Sequence, residues 1–325
     1  MKYISIICLF VGVLLFAAPK ESAAQYDFEA GIKLGGANYL GDIGGKSLPR
    51  RDFIWDMHLN QTNVAIGAYG RYRFSRLISV AANITYLQIN DYDSESTNPA
   101  RRARNLHFRN RMVEFGGRGE VTIFYHNDVG GRGFYNPKFK LYGHAGLSVF
   151  RHNPQAQLYN PDAGEPTGEW VDLRPLRTEG QDSEYETFAM AVPLGIGLHF
   201  TFNNRWRLGW EMSWRMTFTD YLDDISTDYA NPQDLSPEAA EFASQTSQEI
   251  IDAINDPEAS GTVWSHQYDT RSNQTAPRGE ASNNDNYLTM TFSVGYVFRG
   301  RSSFYKRKYN WIRQRRGIRR SRAKF

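Results

Sequence analysis

The sequence predicts an all-β protein, an eight-stranded antiparallel transmembrane β-barrel with long extracellular loops and a basic periplasmic C-terminal tail. Three observations predict it. First, within residues 205–221, Trp206, Leu208, Trp210, Met212, Trp214, Met216 and Phe218 are apolar at every second position, and Arg207, Gly209, Glu211, Ser213, Arg215 and Thr217 between them are small, polar or charged. A period of two places those seven apolar side chains on one face of a strand, read here as the lipid-facing one. Second, seven other segments repeat the alternation. Third, the connections between the eight are alternately long and short. Strands of soluble sandwiches usually run about five or six residues. Thirteen residues of unbroken alternation with charges on the other face suit a tilted strand that crosses a bilayer around a polar interior.

Residues 1–24 read as an export signal to be set aside before fold reasoning. Lys2 gives a positive start, residues 3–18 an apolar run, and Ser22, Ala23 and Ala24 the small residues before cleavage, leaving Gln25 first. The single cysteine, Cys8, falls inside that run, so the mature chain has no thiol, disulfide or Cys-based metal site. The barrel itself is read over residues 25–298, since an exported chain can satisfy its backbone in lipid only by closing a sheet.

The first strand carries Tyr26, Phe28, Ala30, Ile32 and Leu34 outward, and a polar loop (36–61) follows. The second presents Val64, Ile66, Ala68, Gly70, Tyr72 and Phe74, turns at Ser75–Arg76, and hands over to a third with Ile78, Val80, Ala82, Ile84 and Tyr86. After a long loop (88–105), a fourth strand over 106–125 sets Val113, Phe115, Val121, Ile123 and Tyr125 against Glu114, Arg118, Glu120 and Thr122. Its phase falters at Asn110 and Arg111, the signature of a bulge or of the membrane rim. A glycine-bearing turn (127–137) leads to a fifth strand with Phe139, Leu141, Gly143, Ala145, Leu147 and Val149 outward. Residues 152–185 read as loop. The sixth strand shows Phe188, Met190, Val192, Leu194, Ile196, Leu198 and Phe200, then turns at Asn203–Asn204 into the seventh, already described. The largest insertion (219–285) includes one helix, capped by Ser236 with Pro237 at its first position and running to about Ile254. Leu288, Met290, Phe292, Val294, Tyr296 and Phe298 close the series. With the short turns periplasmic, the four long loops face outside and both termini lie in the periplasm.

Inward positions hold Asp27, Glu29, Glu114, Glu120 and Glu211 against Lys33, Arg71, Arg73, Arg118, Lys140 and Arg215. Charges removed from water must pair, and eight strands leave an interior just wide enough for side chains to fill. The expectation is a salt-bridged plug rather than a solute channel. Two chemical readings compete with it. His144 and His199 point inward with Ser148 four residues after His144, a pairing a lipid esterase could use, but no third member of a triad stands near. Asp220, Asp223, Asp224 and Asp228 could offer oxygens to calcium, yet without a fixed ligand loop they read as turn formers at the outer rim. The expectation is therefore no catalytic residue, cofactor or metal.

Four stretches carry a family resemblance: residues 142–154 (YGHAGLSVFRHNP), 169–181 (EWVDLRPLRTEGQ), 192–200 (VPLGIGLHF) and 215–229 (RMTFTDYLDDISTDY). In order, and over most of residues 25–298, the chain resembles the PorG-like outer-membrane barrels of the type IX secretion system. The 219–285 insertion is longer than that family's pattern. The resemblance implies a non-enzymatic barrel that associates with the periplasmic PorK–PorN ring and holds the secretion apparatus at the outer membrane. A small porin, a ligand-binding barrel and a lipid-modifying enzyme are the alternatives.

Charge adds an argument of its own. Of the chain's net +3, the leader holds +1 and residues 299–325 hold +12, so residues 25–298 carry −10. In the tail, cations including Arg313, Arg315, Arg316, Arg319, Arg320 and Arg322 are interleaved with Phe304, Tyr305, Tyr309 and Trp311. Such a tail can bind nucleic acid, anionic lipid or an acidic protein, or remain solvated. A periplasmic position removes nucleic acid as a partner. An acidic partner protein held by these arginines and Trp311 is the reading adopted, with the ring as candidate.

Overall fold

Alternation along the chain becomes a closed wall in space. In a computed structural model that describes residues 27–44, 59–75, 77–96, 99–126, 138–160, 165–202, 205–246 and 276–299, one antiparallel sheet holds ten strands. They are β1 (Asp27–Leu40), β2 (Asn63–Arg73), β3 (Ile78–Tyr92), β4 (His107–His126), β5 (Lys138–Arg151), β6 (Pro154–Asn160), β7 (Glu165–Asp172), β8 (Phe188–Phe202), β9 (Trp206–Thr217) and β10 (Asn286–Arg299). Eight close on themselves: β1 pairs both β2 and β10, β3 pairs β4, and β5 pairs β8. Closure leaves these eight without an unpaired edge, which is what a bilayer demands. The remaining two, β6 and β7, form a hairpin outside the ring, attached where Arg109 and Asn110 of β4 meet Gln155 and Pro154.

The two faces of the wall differ sharply over the half nearer the short turns. Outside, Ile32, Phe115, Ile123 and Phe292 are each more than 60% exposed. Inside, Glu29, Glu114, Glu120 and Arg215 are buried. A surface that is apolar outside and charged inside is stable only where the surroundings are hydrocarbon. Among the described residues no helix is long and apolar enough to cross a membrane; the strands do so. Trp206, Leu208, Trp210, Met212, Trp214 and Met216 stand on the outer face of β9 and Phe218 just past its end, with Trp206, Leu208 and Phe218 exposed and the other four half-covered by neighbours.

Toward the long loops the polarity inverts. Leu87, Ile89, Phe108, Met112, Phe150 and Tyr287 point inward and pack with Tyr39, Ile43, Leu222 and Ile225 into a buried apolar cluster. Gln88, Asn90, Arg109 and Arg111 take the outside. This end is built as a water-soluble protein is, so the barrel walls rise out of the membrane and the loops cap them.

That inversion corrects several expectations. Loops 36–61 and 88–105 are shortened because β1 runs to Leu40 and β3 to Tyr92, and the second ends in a short helix, α1 (Pro99–Arg104). β4 has no bulge at Asn110 and Arg111: its register with β3 is continuous from His107 to Val121. The phase falters in sequence because Met112 is inward and Arg111 outward, as expected above a membrane. The irregularity lies instead between Thr122 and Phe124, where pairing with β5 shifts by one. The shift puts Phe124 opposite outward Leu141 and Tyr125 opposite inward Lys140, so Tyr125 leaves the lipid face. Leu288, on the outward side of β10, is buried. Residues 152–185 contain the β6–β7 hairpin. The helix in the large insertion, α2, is only Pro237–Ala243. Ser236 caps it, accepting from the Ala239 N–H at 3.1 Å, and Ser244 is already extended. Residues 247–254 lie outside the described set, as do the leader (1–24), the turns at 127–137 and 203–204, and the tail (300–325).

Candidate functional site

Inward side chains of β1, β2, β3, β4, β5, β9 and β10 meet in the lumen as two bonded groups. Glu29 accepts from Tyr69 Oη at 2.6 Å and from Arg71 at 3.1 Å, and is also held by Arg207. The Arg71 Nε lies 2.8 Å from Glu120, and its Nη2 donates to Tyr142 Oη at 3.0 Å. Arg118 donates two bonds of 2.6 Å to the two oxygens of Glu211 and one of 3.3 Å to Glu120. Nearer the loops, Glu114 accepts from Arg215 at 3.0 Å, Tyr287 at 2.6 Å and Asn83 at 3.3 Å. Glycine makes room for the rings: a Cβ at Gly197 would fall 2.5 Å from the Tyr142 ring.

Two of these pairs span the lumen. Arg118 and Glu114 are on β4 while Glu211 and Arg215 are on β9, three strands away around the ring. The arrangement braces facing walls across the lumen. Arg207, Tyr69, Tyr142 and Tyr287 are the members that inward charge counting missed. Arg207 lies on the polar face of the seventh strand and Tyr69 and Tyr142 on inward faces by alternation, but a count of paired charges leaves the phenols out. The side chains of Asp27 and Arg299 fall outside the description, whereas Lys33 and Lys140 are buried among the lumenal charges.

The residues considered for chemistry are dispersed. His144 Nε2 is 3.0 Å from Ser213 Oγ, whereas Ser148 Oγ donates to the Ala191 carbonyl at 3.5 Å. His199 is buried beside the Tyr142 ring, 5.8 Å between centroids. The aspartates also part. Asp224 binds Thr178, Tyr185 and Arg278, Asp228 forms a backbone bridge to Pro277, and Asp220 is buried. Among the described residues no group of three or more His, Cys, Asp or Glu is placed to hold a metal ion.

Asp223 instead joins residues from three distant segments at the floor of the loop cap. Its Oδ2 is 2.6 Å from Tyr39 Oη and accepts from the Ile43 N–H, and its Oδ1 accepts from the Ile225 N–H at 3.0 Å. Asp285 Oδ1 is 2.5 Å from the same Tyr39 oxygen, which also accepts from the Asp42 N–H at 2.9 Å. A phenol has one proton and cannot donate to both carboxylates. Asp223 accepts from two backbone N–H groups and Asp285 from that of Leu222 at 3.0 Å, so one of the two carboxyls must hold a proton to face the Tyr39 oxygen. Burial pushes both carboxyls well above the usual range, helped by repulsion from Asp42 at Asp223 and from Asp223 and Asp42 at Asp285. Around them Arg104 binds Asp93 at 2.7 Å and Arg278 binds Glu179 at 3.1 Å. Leu222 and Ile225, apolar in a run of acids, were the sequence signal that this loop folds inward.

Fold and lumen define a class: an eight-stranded membrane barrel, braced across its interior and capped at one end. Residues 7–165 match a family described as a domain of unknown function, DUF6089. No curated protein matches the chain. Similar solved structures include Ail, the attachment invasion locus protein of Yersinia pestis, in complex with a heparin analogue, at 10% identity, with 85% of this chain and 100% of that chain covered and a TM-score of 0.34. Another is the outer membrane protein OprG from Pseudomonas aeruginosa, at 9% identity, 86% and 98% coverage and a TM-score of 0.38. Neisserial surface protein A gives 11% identity, 86% and 100% coverage and a TM-score of 0.33. The architecture rests on the closed ladder of this chain itself.

Proposed function

We propose that the protein is a non-enzymatic outer-membrane barrel of the type IX secretion system that anchors or assembles the periplasmic PorK–PorN ring. The observation that carries this reading is the distribution of charge: a body of −10 followed, directly after the closing strand, by a tail of +12 with interleaved aromatics. β1 begins and β10 ends at the short-turn end, which is periplasmic in this reading, so the tail starts where a periplasmic partner would stand. The resemblance of four stretches to PorG-like barrels names the partner. The braced lumen favours a holding role over conduction, and the scattered His144, His199 and Ser148 offer no hydrolytic centre.

The test is recovery of the ring with detergent-solubilised protein at low and high salt. Removing residues 301–325 leaves the barrel strands intact and should abolish recovery. Changing Arg315, Arg316, Arg319 and Arg320 together to Glu should act nearly as the deletion does. A single Arg→Ala should do little, because exposed ion pairs contribute about 0–1 kcal/mol each. Added salt should weaken recovery, since exposed charges are screened beyond roughly 8–10 Å. Equal recovery from all three proteins would leave the tail a solvated extension and remove the docking role.

A further inference from the structure

Just above the apolar belt, on the outer surface between β4 and β5, lies a groove of about 200 Å³ lined by Arg111, Val113, Arg151, His152, Asn153 and Gln155. Val113 is opposite Arg151 in the ladder, and Arg111 is the next outward residue of β4. Arg111 and Arg151 are thus diagonal neighbours, about 7–8 Å apart at their Cα atoms, and both are exposed. Their guanidinium groups can converge on one anion.

Little protein charge answers them. Arg111 makes one weak bond, 3.4 Å to Gln88 Oε1. Among the described residues Arg151 has no hydrogen-bond or ion-pair partner and no carboxylate lines the groove. Asp172, on the neighbouring hairpin, is engaged by Gln155 at 2.7 Å. Arg109, the third outward cation of β4, is turned away, bonded to Gln155 at 2.8 Å and laid over the Trp170 ring at 3.8 Å. Below the groove the same wall is apolar: Val113, Phe115, Leu147 and Val149 are all exposed. An adjacent lipid tail would lie against those four side chains, with its headgroup level with the two arginines.

We propose that this groove binds the phosphate of a lipid headgroup in the leaflet surrounding the loop end of the barrel. The two guanidinium groups donate paired, charge-assisted bonds to phosphate oxygens, and Asn153 supplies a neutral amide beside them. Repulsion between two close cations becomes attraction to one shared anion, while the apolar wall holds the acyl chains. The site rests on the membrane-barrel reading and is independent of the secretion role.

The test uses the full chain in detergent micelles, with lipid A, enzymatically dephosphorylated lipid A and inorganic phosphate as probes, read by native mass spectrometry. Wild type should retain lipid A, and the pair Arg111→Gln/Arg151→Gln should bind it at least about ten-fold more weakly. Arg111→Lys/Arg151→Lys should keep most of the affinity, and Arg174→Gln, whose arginine pairs with Glu184 in a loop, all of it. Dephosphorylated lipid A should bind wild type and the double Gln variant alike. Equal lipid A binding by wild type and the double Gln variant would overturn the site, as would undiminished binding of the dephosphorylated lipid to wild type. Complete displacement by a modest excess of inorganic phosphate would overturn the assignment to lipid. Protease protection of each protein in lipid vesicles reports separately whether the barrel inserts, so failure of the membrane reading is distinguishable from failure of the site.

Discussion

Arg118 shows how single residues hold this barrel. Its paired bonds of 2.6 Å to Glu211 join opposite walls in a space with little water, so removing one partner leaves the other charged and uncompensated. Arg118→Ala should destabilise the barrel by about 3–5 kcal/mol, seen as a lower temperature for loss of its fast-migrating form on a semi-native gel. Arg215→Leu, which strands Glu114, should do the same, and the double change Glu114→Leu/Arg215→Leu should recover part of the loss. Unchanged mobility transitions in both single variants would mean the bridges contribute nothing net. The cap follows a different rule. Burial raises Asp224 to about 6 against the opposing pull of Arg278, and holds Asp223 and Asp285 well above their ordinary value of 3.8. A carboxyl raised on folding stabilises fully below its unfolded value and loses that contribution as pH rises through its folded one. Cap loops should therefore be cleaved faster by an added protease at about pH 8 than at about pH 5. Asp285→Asn, whose amide can donate to Tyr39 without titrating, should flatten that difference. These pairings were only partly legible: inward charges could be counted along the strands, but Tyr39, Asp223 and Asp285 meet from segments 184 and 246 residues apart, and no spacing in the sequence announces that.

β9 is the element on which the lipid face can be tested. Trp210 sits near its centre on the outer surface, opposite Leu198 of β8 and Phe292 of β10. Arg at mid-bilayer on a barrel costs about 2–4 kcal/mol, so Trp210→Arg should reduce the fraction that resists urea extraction from membranes. Insertion equal to wild type would place this face out of lipid. β9 could be read directly because it lies within one environment along nearly all its length. β3 and β4 could not, because each leaves the membrane partway and exchanges its apolar face for a polar one. Leu87, Ile89 and Met112 then look like errors of phase, although the backbone register never slips there. The hairpin of β6 and β7 is hidden for another reason: it pairs at the edge of β4 outside the ring, and the apolar residues it buries, Ala156 and Val171 against Leu173 and Phe242, are too few to mark a period. α2 was located by its cap but overextended, since Ser236 and Pro237 fix where a helix starts and nothing comparable marks where this one stops.

At the scale of the molecule, eight alternating segments joined by alternating long and short connections sufficed for the closed antiparallel ring, because closure is the one solution that satisfies every strand edge in lipid. What the ring encloses required coordinates. Charge balance implied pairing, while the bracing of β4 against β9 came only from their positions around the ring. The proposed holding role of this barrel excludes conduction. Its most direct test is ion conductance of the purified full-length protein in planar bilayers, with insertion verified in the same preparation. Wild-type protein should give no stable conductance steps above background, and Arg118→Ala, which removes the pair to Glu211, should increase leakage. Reproducible steps of fixed size from the wild-type protein would contradict the braced, closed lumen and return the protein to the class of small porins.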